Sequence, residues 1–311
     1  MKTVVITGAT GCVGRALVDV CIAAGYEVLA VLNRNTSRGK SLESLEHCHI
    51  LYLSLNEYKN AMSEIEKQHI RLDSYELFFH LAWMSAFGVG RDDVRLQLSN
   101  VEASIDAVGF AKELGCTTFI GAGSQAEYGR TEGKLAPHTP TFPETGYGIA
   151  KLCTSQMTRI LCEQFGMRSV WCRILSAYGP YDAEKTLIRE AITKMLKNVE
   201  TEFSPCEQTW DYIYADDAAR ALLVAGEYGE NGGIYVVGSG ESHRLSYYID
   251  EIARITEYTK EIGYGKRGYN PKQVMNLQAD ISAIEELGFK VAVSFAEGIQ
   301  RVCSIWSDDD F

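Results

Sequence analysis

Thr7-Gly8-Ala9-Thr10-Gly11-Cys12-Val13-Gly14 stands where a buried run, Lys2–Thr7, gives way to a helix-length amphipathic segment, Gly14–Ala24. The spacing is GxxGxxG. Glycines in such a turn allow the sharp reversal, let backbone approach a pyrophosphate, and permit close packing of helix on strand. The helix start adds free N–H groups and the positive end of its dipole. Strand, turn and helix in this order predict a dinucleotide site built from Gly8, Thr10, Gly11, Cys12, Val13 and Gly14.

Outward from this loop, short apolar runs alternate with helical stretches. Strands are expected at Glu27–Leu32, His49–Leu53, Leu77–Leu81, Thr117–Gly121 and Ser169–Ile174. Long helices are expected at Val94–Leu114, with Val94, Leu98, Val101, Ile105 and Val108 near helical spacing, and at Tyr147–Phe165. This rhythm means right-handed βαβ units, hence an α/β fold: a Rossmann-type doubly wound parallel sheet. After Pro180 the pattern changes to helices near Leu187–Asn198 and Ala215–Ala225, then a strand, Gly233–Val237. The expected organisation is a Rossmann domain at 1–175, completed by about 212–240, with a smaller, interleaved substrate lobe at 176–311. The acidic end, Ser307–Phe311, is expected to fray.

The 311 residues carry a formal charge of -11, which argues against non-specific binding to nucleic acid or anionic membranes. No apolar run approaches the ~18 residues of a membrane span, and the first strand begins too early for a signal peptide to precede it. The 9 Cys, an odd number without a CxxC pair, suit a reducing cytoplasm. His47, Cys48 and His49 form the one candidate metal cluster. Neighbours on an extended chain face opposite ways, so no metal is expected.

The cofactor is read at the end of the second strand. NAD enzymes place a carboxylate there for the ribose 2′-hydroxyl. This chain runs Asn33-Arg34-Asn35-Thr36-Ser37-Arg38, without a carboxylate. Arg34 or Arg38 could pair a 2′-phosphate through its guanidinium fork, so NADP is expected, with NAD as the alternative. The plainer reading is that both arginines are solvated loop residues.

Tyr147 and Lys151 lie four residues apart, on one face of one helix. A free phenol ionises near ~10, and a nearby ammonium favours the phenolate. With Ser124 at the end of the preceding strand, the three residues predict proton transfer to or from a hydroxyl or carbonyl.

These motifs resemble the extended short-chain dehydrogenase/reductases, specifically the nucleotide-sugar epimerase/dehydratase group. The resemblance spans nearly the whole chain: TGATGCVG at 7–14, HLA at 80–82, Asn100, GSQAEYG at 123–129, YGIAK at 147–151, RILSAYGP at 173–180 and DYIYADDAARA at 211–221. It implies that Ser124 bonds the reacting sugar oxygen, Tyr147 passes the proton, and Lys151 holds the cofactor ribose and tunes Tyr147. Asn100 would support a relay water or the helix geometry. His80, Leu81 and Ala82 would line the cofactor cleft, with strand-end packing the alternative for Leu81. Leu55 would lie near the adenine, and Gln125, Ser176, Tyr178 and Trp210 would lie near a nucleotide sugar. The family commonly dimerises through two long helices, so a homodimer is expected. The alternative is that Val94–Leu114 and Tyr147–Phe165 simply cover the sheet.

Departures from the family pattern narrow the chemistry. Its dehydratases resemble one another in carrying carboxylates just after the Ser/Thr, where this chain has Gln125 and Ala126. Glu127 comes one place later, and strand alternation would turn it away. Dehydration is therefore not expected. Trp210 stands where many relatives have an arginine for the substrate pyrophosphate. Trp210 would stack on a base or fill the lobe interface, and Arg173 or Arg189 could supply the charge, the alternative for Arg173 being a structural ion pair. Ser176 replaces an asparagine, and Ser54-Leu55 replaces the Asp-Leu seen near the adenine. The first reading is an NADP-dependent reductase of a 4-keto-6-deoxy sugar nucleotide. The second is an NAD-dependent 4-epimerase, and the third a non-catalytic NADP-binding regulator.

Overall fold

Val4, Val5 and Ile6 are wholly buried although consecutive residues of a strand face opposite sides, so the first strand must be covered on both faces. The computed structural model describes residues 1–309, and side chains through Trp306. It places this strand, β1 (Thr3–Thr7), at the centre of a seven-stranded parallel sheet. On one side follow β2 (Glu27–Leu32) and β3 (Cys48–Tyr52). On the other come β4 (Tyr75–His80), β5 (Thr118–Ser124), β6 (Arg168–Ile174) and, from far along the chain, β10 (Gly233–Val237). The order β10-β6-β5-β4-β1-β2-β3 reverses at β1, and the crevice beyond the carboxyl ends of β1 and β4 is where such sheets bind ligands.

Alternate residues of β1 enter different cores. Val4 and Ile6 pack with Leu17 and Val18 of α1 (Cys12–Ala23) and Leu222 of α7 (Ala215–Tyr228). Val5 packs on the other face with Ala107 and Phe110 of α4 (Val94–Glu113) and Cys162 of α5 (Gly146–Phe165). Caps fix where the last two helices start. Asp93 accepts from the N–H groups of Arg95 and Leu96, and Thr145 from that of Gly148. Two short helices, α2 (Lys40–Glu43) and α3 (Ala61–Lys67), lie between β2 and β4.

The second lobe has its own core of Ile188, Ile192, Met195, Tyr248, Ile249, Ile299 and Trp306. It holds β7 (Ser176–Tyr178) paired with β9 (Tyr212–Tyr214), and β8 (Thr209–Trp210) paired with β11 (His243–Arg244). Around these pack α6 (Leu187–Leu196), α8 (Leu245–Ile255) and α10 (Phe295–Asp309), while α9 (Ser282–Glu285) lies against β10 and α7 in the first core. The backbone of 307–309 is thus helical rather than frayed, while residues 310 and 311 lie outside the described residues.

Strand β5 runs to Ser124, three residues past its expected end. Gly121 and Gly123 explain this, because a Cβ on either would stand 2.2 or 2.3 Å from the Trp171 indole. The glycines seat that ring and leave the strand free to continue.

Candidate active site

The glycine loop is shaped by close backbone approach. Gly8 has φ +72°, and a Cβ there would lie 2.7 Å from the Ala82 nitrogen. A Cβ on Gly14 would meet the Gly8 carbonyl oxygen at 2.2 Å. Gly11 caps α1 without any side-chain bond, so the N–H groups of the first turn keep their freedom toward a ligand. The loop opens on a cavity of about 820 Å³ whose wall includes Gly8, Gly11, Cys12, Val13, Gly14 and Leu81. Thr10, Leu55, His80 and Ala82 are not on that wall, the His80 ring being buried between Thr7 and Ser104. Leu55 is buried in the core that carries Val31, and Ala82 serves as backbone against Gly8.

The structure separates the two arginines after β2. Arg34 is not on the wall: its Nε donates to Glu57 Oε2 at 3.0 Å and its Nη2 to Glu64 Oε2 at 2.6 Å. The expectation that Arg34 faces a cofactor phosphate is corrected by these two carboxylates. Arg38 does line the cavity.

Ser124, Gln125, Tyr147 and Lys151 meet on the same wall, at the ends of β5 and α5. Tyr147 and Lys151 are both buried. Burial pushes the Tyr147 phenol up, against a hydrogen bond with Ser124 and the charge of Arg91. Burial also pulls the Lys151 ammonium down to about 7. Its Nζ donates to the Ala122 carbonyl oxygen at 2.6 Å and sits 3.7 Å from the centre of the Trp83 ring. For Tyr147, burial outweighs the favourable contacts, so the polypeptide by itself holds the phenol above its ordinary range. Trp83 stands edge-on to Tyr147, with centroids 5.9 Å apart, and is held by Gln97 Oε1, which accepts from its Nε1 at 2.9 Å. Asn100 pins the adjoining backbone, accepting from the Met84 N–H at 2.8 Å and donating to its carbonyl at 3.0 Å.

Beneath Ser124 lies a buried ion pair. Glu127 Oε1 accepts from the Ser124 N–H at 2.8 Å and Oε2 from Arg173 Nε at 2.8 Å, with Trp171 Nε1 donating to the same carboxylate. Arg173 is thus a structural partner and not a substrate cation. Arg189 is also off the cavity wall, donating to the Asp182 carbonyl oxygen at 2.8 Å.

At the far end of the cavity, Ser176 and Trp210 line the wall together, and Trp210 Nε1 donates to Ser176 Oγ at 2.8 Å. Tyr178 does not reach it. It is 1% exposed in the second core and donates to the Phe295 carbonyl oxygen at 3.1 Å. Ser176 and Tyr178 share a face of β7, but at Tyr178 that face is covered: Tyr212, Tyr214 and Phe295 pack around its ring.

Among the wall residues that escaped the sequence reading are Trp83, Arg91, Asp182 and Arg267. Asp182 is buried, and burial pushes its carboxyl up to about 6. Trp83, directly after HLA, carried the one available signal. His47 and His49 both bond Glu27 at 3.0 Å, and among the described residues no group of three or more potential ligands could hold a metal ion. No helix among the described residues is long and apolar enough to cross a membrane.

Residues 4–238 match the model of the NAD dependent epimerase/dehydratase family, and the chain belongs to that family. It is 24% identical to the dTDP-4-dehydro-6-deoxyglucose reductase of Escherichia coli, over 96% of each chain. It is equally 24% identical to the CDP-abequose synthase of Salmonella muenchen, over 98% of each. Among solved structures, the UDP-glucose 4-epimerase of Thermotoga maritima with UDP-glucose superposes with a TM-score of 0.85 at 25% identity, over 98% of this chain and 99% of that one. The chain is thus an NAD(P)-dependent, nucleotide-sugar-modifying enzyme by family.

Proposed function

We propose that the chain reduces the 4-keto group of a nucleotide-linked 6-deoxy sugar with hydride from NADPH, Tyr147 protonating the nascent oxyanion. The observation that carries this reading is Arg38 on the wall of the cavity that the glycine loop opens, after a strand that ends without a carboxylate. A carboxylate there would accept from a ribose hydroxyl and repel a phosphate, whereas a guanidinium does the reverse. The two reductive deoxysugar enzymes named above support the choice.

The site fits a dinucleotide: uncapped N–H groups at the α1 terminus face a cavity bounded by glycines. Gly8, Gly11, Cys12, Val13 and Gly14 would hold the pyrophosphate, Arg38 the 2′-phosphate, and Lys151 the ribose next to the reacting ring. When bound, the cofactor supplies the hydride. Ser124 Oγ accepts from the Ala126 N–H at 3.2 Å, which leaves its own proton for the sugar oxygen. Tyr147, buried and held protonated, donates to that oxygen as charge develops on it. Gln125 bounds the sugar, and Trp210 with Arg267 bounds the nucleotide end. Glu127 is committed to Arg173, Trp171 and the Ser124 N–H, so the motif offers no free acid–base pair for dehydration.

A 4-epimerase holding NAD is the second reading, favoured by the engagement of Arg34 with Glu57 and Glu64, which removes one of the two arginines from the cofactor. Stoichiometric NADPH consumption with a 4-keto-6-deoxy sugar nucleotide supports the reductase. NAD released on denaturation, with sugar interconversion and no net oxidation, supports the epimerase. Turnover abolished in Tyr147→Phe with cofactor retained excludes the regulator.

We further propose that two copies associate through α4 and α5, whose outer faces expose Val94, Leu98, Ile149, Met157 and Ile160. The nine cysteines are all unpaired, which supports a reducing, cytoplasmic setting.

A further inference from the structure

We propose that Arg91, on the connection between β4 and α4, is a positioning residue for Tyr147, supplying the fixed positive charge that stabilises its phenolate form. The inference rests on reading Tyr147 as the proton-handling phenol. Lys151 is a cation beside Tyr147 but not the nearer one to its ring. Its Nζ is 5.9 Å from the centre of the Tyr147 ring, drawn off by the Ala122 carbonyl and the Trp83 indole. Its amine, pulled down to about 7, is charged only part of the time near neutrality. A guanidinium keeps its proton throughout. Arg91 Cζ stands 4.6 Å from the centre of the Tyr147 ring, and Arg91 lines the cavity. No ion pair to Arg91 is found among the described residues; Asp92, the carboxylate its charge acts on, is itself held by the Gly146 N–H and by Lys272.

The placement is built into the fold. Arg91 sits in the 3₁₀ turn Gly88–Asp92. Asp92 Oδ1 accepts from the Gly146 N–H at 2.9 Å, tying the turn to the first residue of α5. Lys272 Nζ lies 3.6 Å from the other Asp92 oxygen. Gln97 Nε2 donates to the carbonyl oxygens of Gly90 at 2.9 Å and Ser85 at 3.3 Å. The Arg91 carbonyl lies so close to Gly146 that a Cβ there would be 3.0 Å away. The turn that carries Arg91 and the helix that carries Tyr147 therefore move as one piece.

The other groups acting on the phenol are accounted for. Ser124, ending β5, shares a hydrogen bond with it. Glu127, in the turn after β5, opposes ionisation but is paired with Arg173. Lys151 faces it from α5 at the distance given. Arg91 is the group among them whose charge is both favourable and independent of pH. When Tyr147 gives up its proton, the resulting anion faces that charge in a site of low polarity, where the attraction is strong.

The test needs no sugar substrate. The full-length chain, with 13Cζ-labelled tyrosine and with or without NADP⁺, is titrated by NMR, with Tyr147→Phe assigning the resonance. Arg91→Gln is expected to move the Tyr147 midpoint up by about one pH unit, and Arg91→Lys to stay within a few tenths of the parent. Equal midpoints in the parent and Arg91→Gln, or no Tyr147 ionisation in either across about pH 6 to 11, overturn the proposal. The titration is silent on which reaction runs, so loss of the reductase reading leaves it intact. Where NADPH oxidation is observed, the alkaline limb of kcat/KM moves up with the same midpoint in Arg91→Gln, while the KM for NADPH is unchanged.

Discussion

Glu127 and Arg173 form an ion pair at 2.8 Å with side chains 0% and 3% exposed, directly behind the backbone of Ser124. Removing one partner strands the other charge in a dry setting. Glu127→Gln is expected to cost about 3–5 kcal/mol in urea unfolding, whereas the paired replacement Glu127→Met/Arg173→Met recovers most of it. Equal losses in the single and paired variants would contradict this account. Turnover should stay low in the paired variant, because the Ser124 N–H then loses its acceptor.

Gly14 has no room for a methyl group. Its Cβ would fall 2.2 Å from the Gly8 carbonyl oxygen, which is backbone and cannot swing aside. Gly14→Ala should lower stability by at least about 1–3 kcal/mol and abolish binding of the dinucleotide. Thermal unfolding and NADPH fluorescence titration read the two effects separately. Gly115, where a Cβ meets nothing within 4 Å but φ is +82°, should show only the backbone penalty.

Arg38 and Arg34 make opposite predictions. Arg38→Ala should weaken NADPH by about 10-fold or more, the worth of a hydrogen-bonded charge, and leave NADH unchanged. Arg34→Ala should alter neither affinity, since its fork already holds Glu57 and Glu64. Direct titration with both nucleotides checks this. Parallel loss of NADPH and NADH on removing Arg38 would point to the epimerase reading.

His80 predicts a pH dependence of stability. Its ring is fully enclosed between Thr7 Oγ1 at 2.9 Å and Ser104 Oγ at 3.0 Å, and burial pulls it down to about 3. An unfolded imidazole binds its proton near ~6.5, so between the two values the unfolded chain carries the extra proton. Stability is therefore complete above ~6.5 and falls as pH drops, by up to about 1.4 kcal/mol per unit. In His80→Asn this component should vanish, leaving a shallower slope when unfolding is compared at neutral and mildly acidic pH.

The outer face of α4 and α5 sets the expected assembly. Light scattering should give the mass of two chains for the parent, and of one chain for Leu98→Asp/Ile149→Asp. A single-chain mass for the parent would leave those side chains as ordinary exposed apolar groups.

The sheet was legible because its strands are continuous apolar runs, and the glycine loop because its spacing has one use after such a strand. Ser124, Tyr147 and Lys151 were legible for the same reason, being fixed to the ends of β5 and α5 in a way that local spacing records. Trp83 and Arg91 were not, since a turn between β4 and α4 has no period to read. Arg34 and Arg38 looked equivalent in sequence. They differ because Glu57 and Glu64 arrive from the segment after β3, a relation that only the folded chain reveals. Tyr178 failed for a similar reason: it shares its face of β7 with Ser176, and only the folded chain brings Tyr212, Tyr214 and Phe295 over its ring.

The seventh strand, β10, has a consequence for preparing the protein in parts. It reaches the sheet only after the chain has left for the second lobe and come back, and it covers β6. A fragment cut after Ile174 would leave β6 with a bare row of N–H and C=O groups along an apolar edge. Such a fragment would recruit strands from other copies and precipitate, so the two lobes have to be made as one piece.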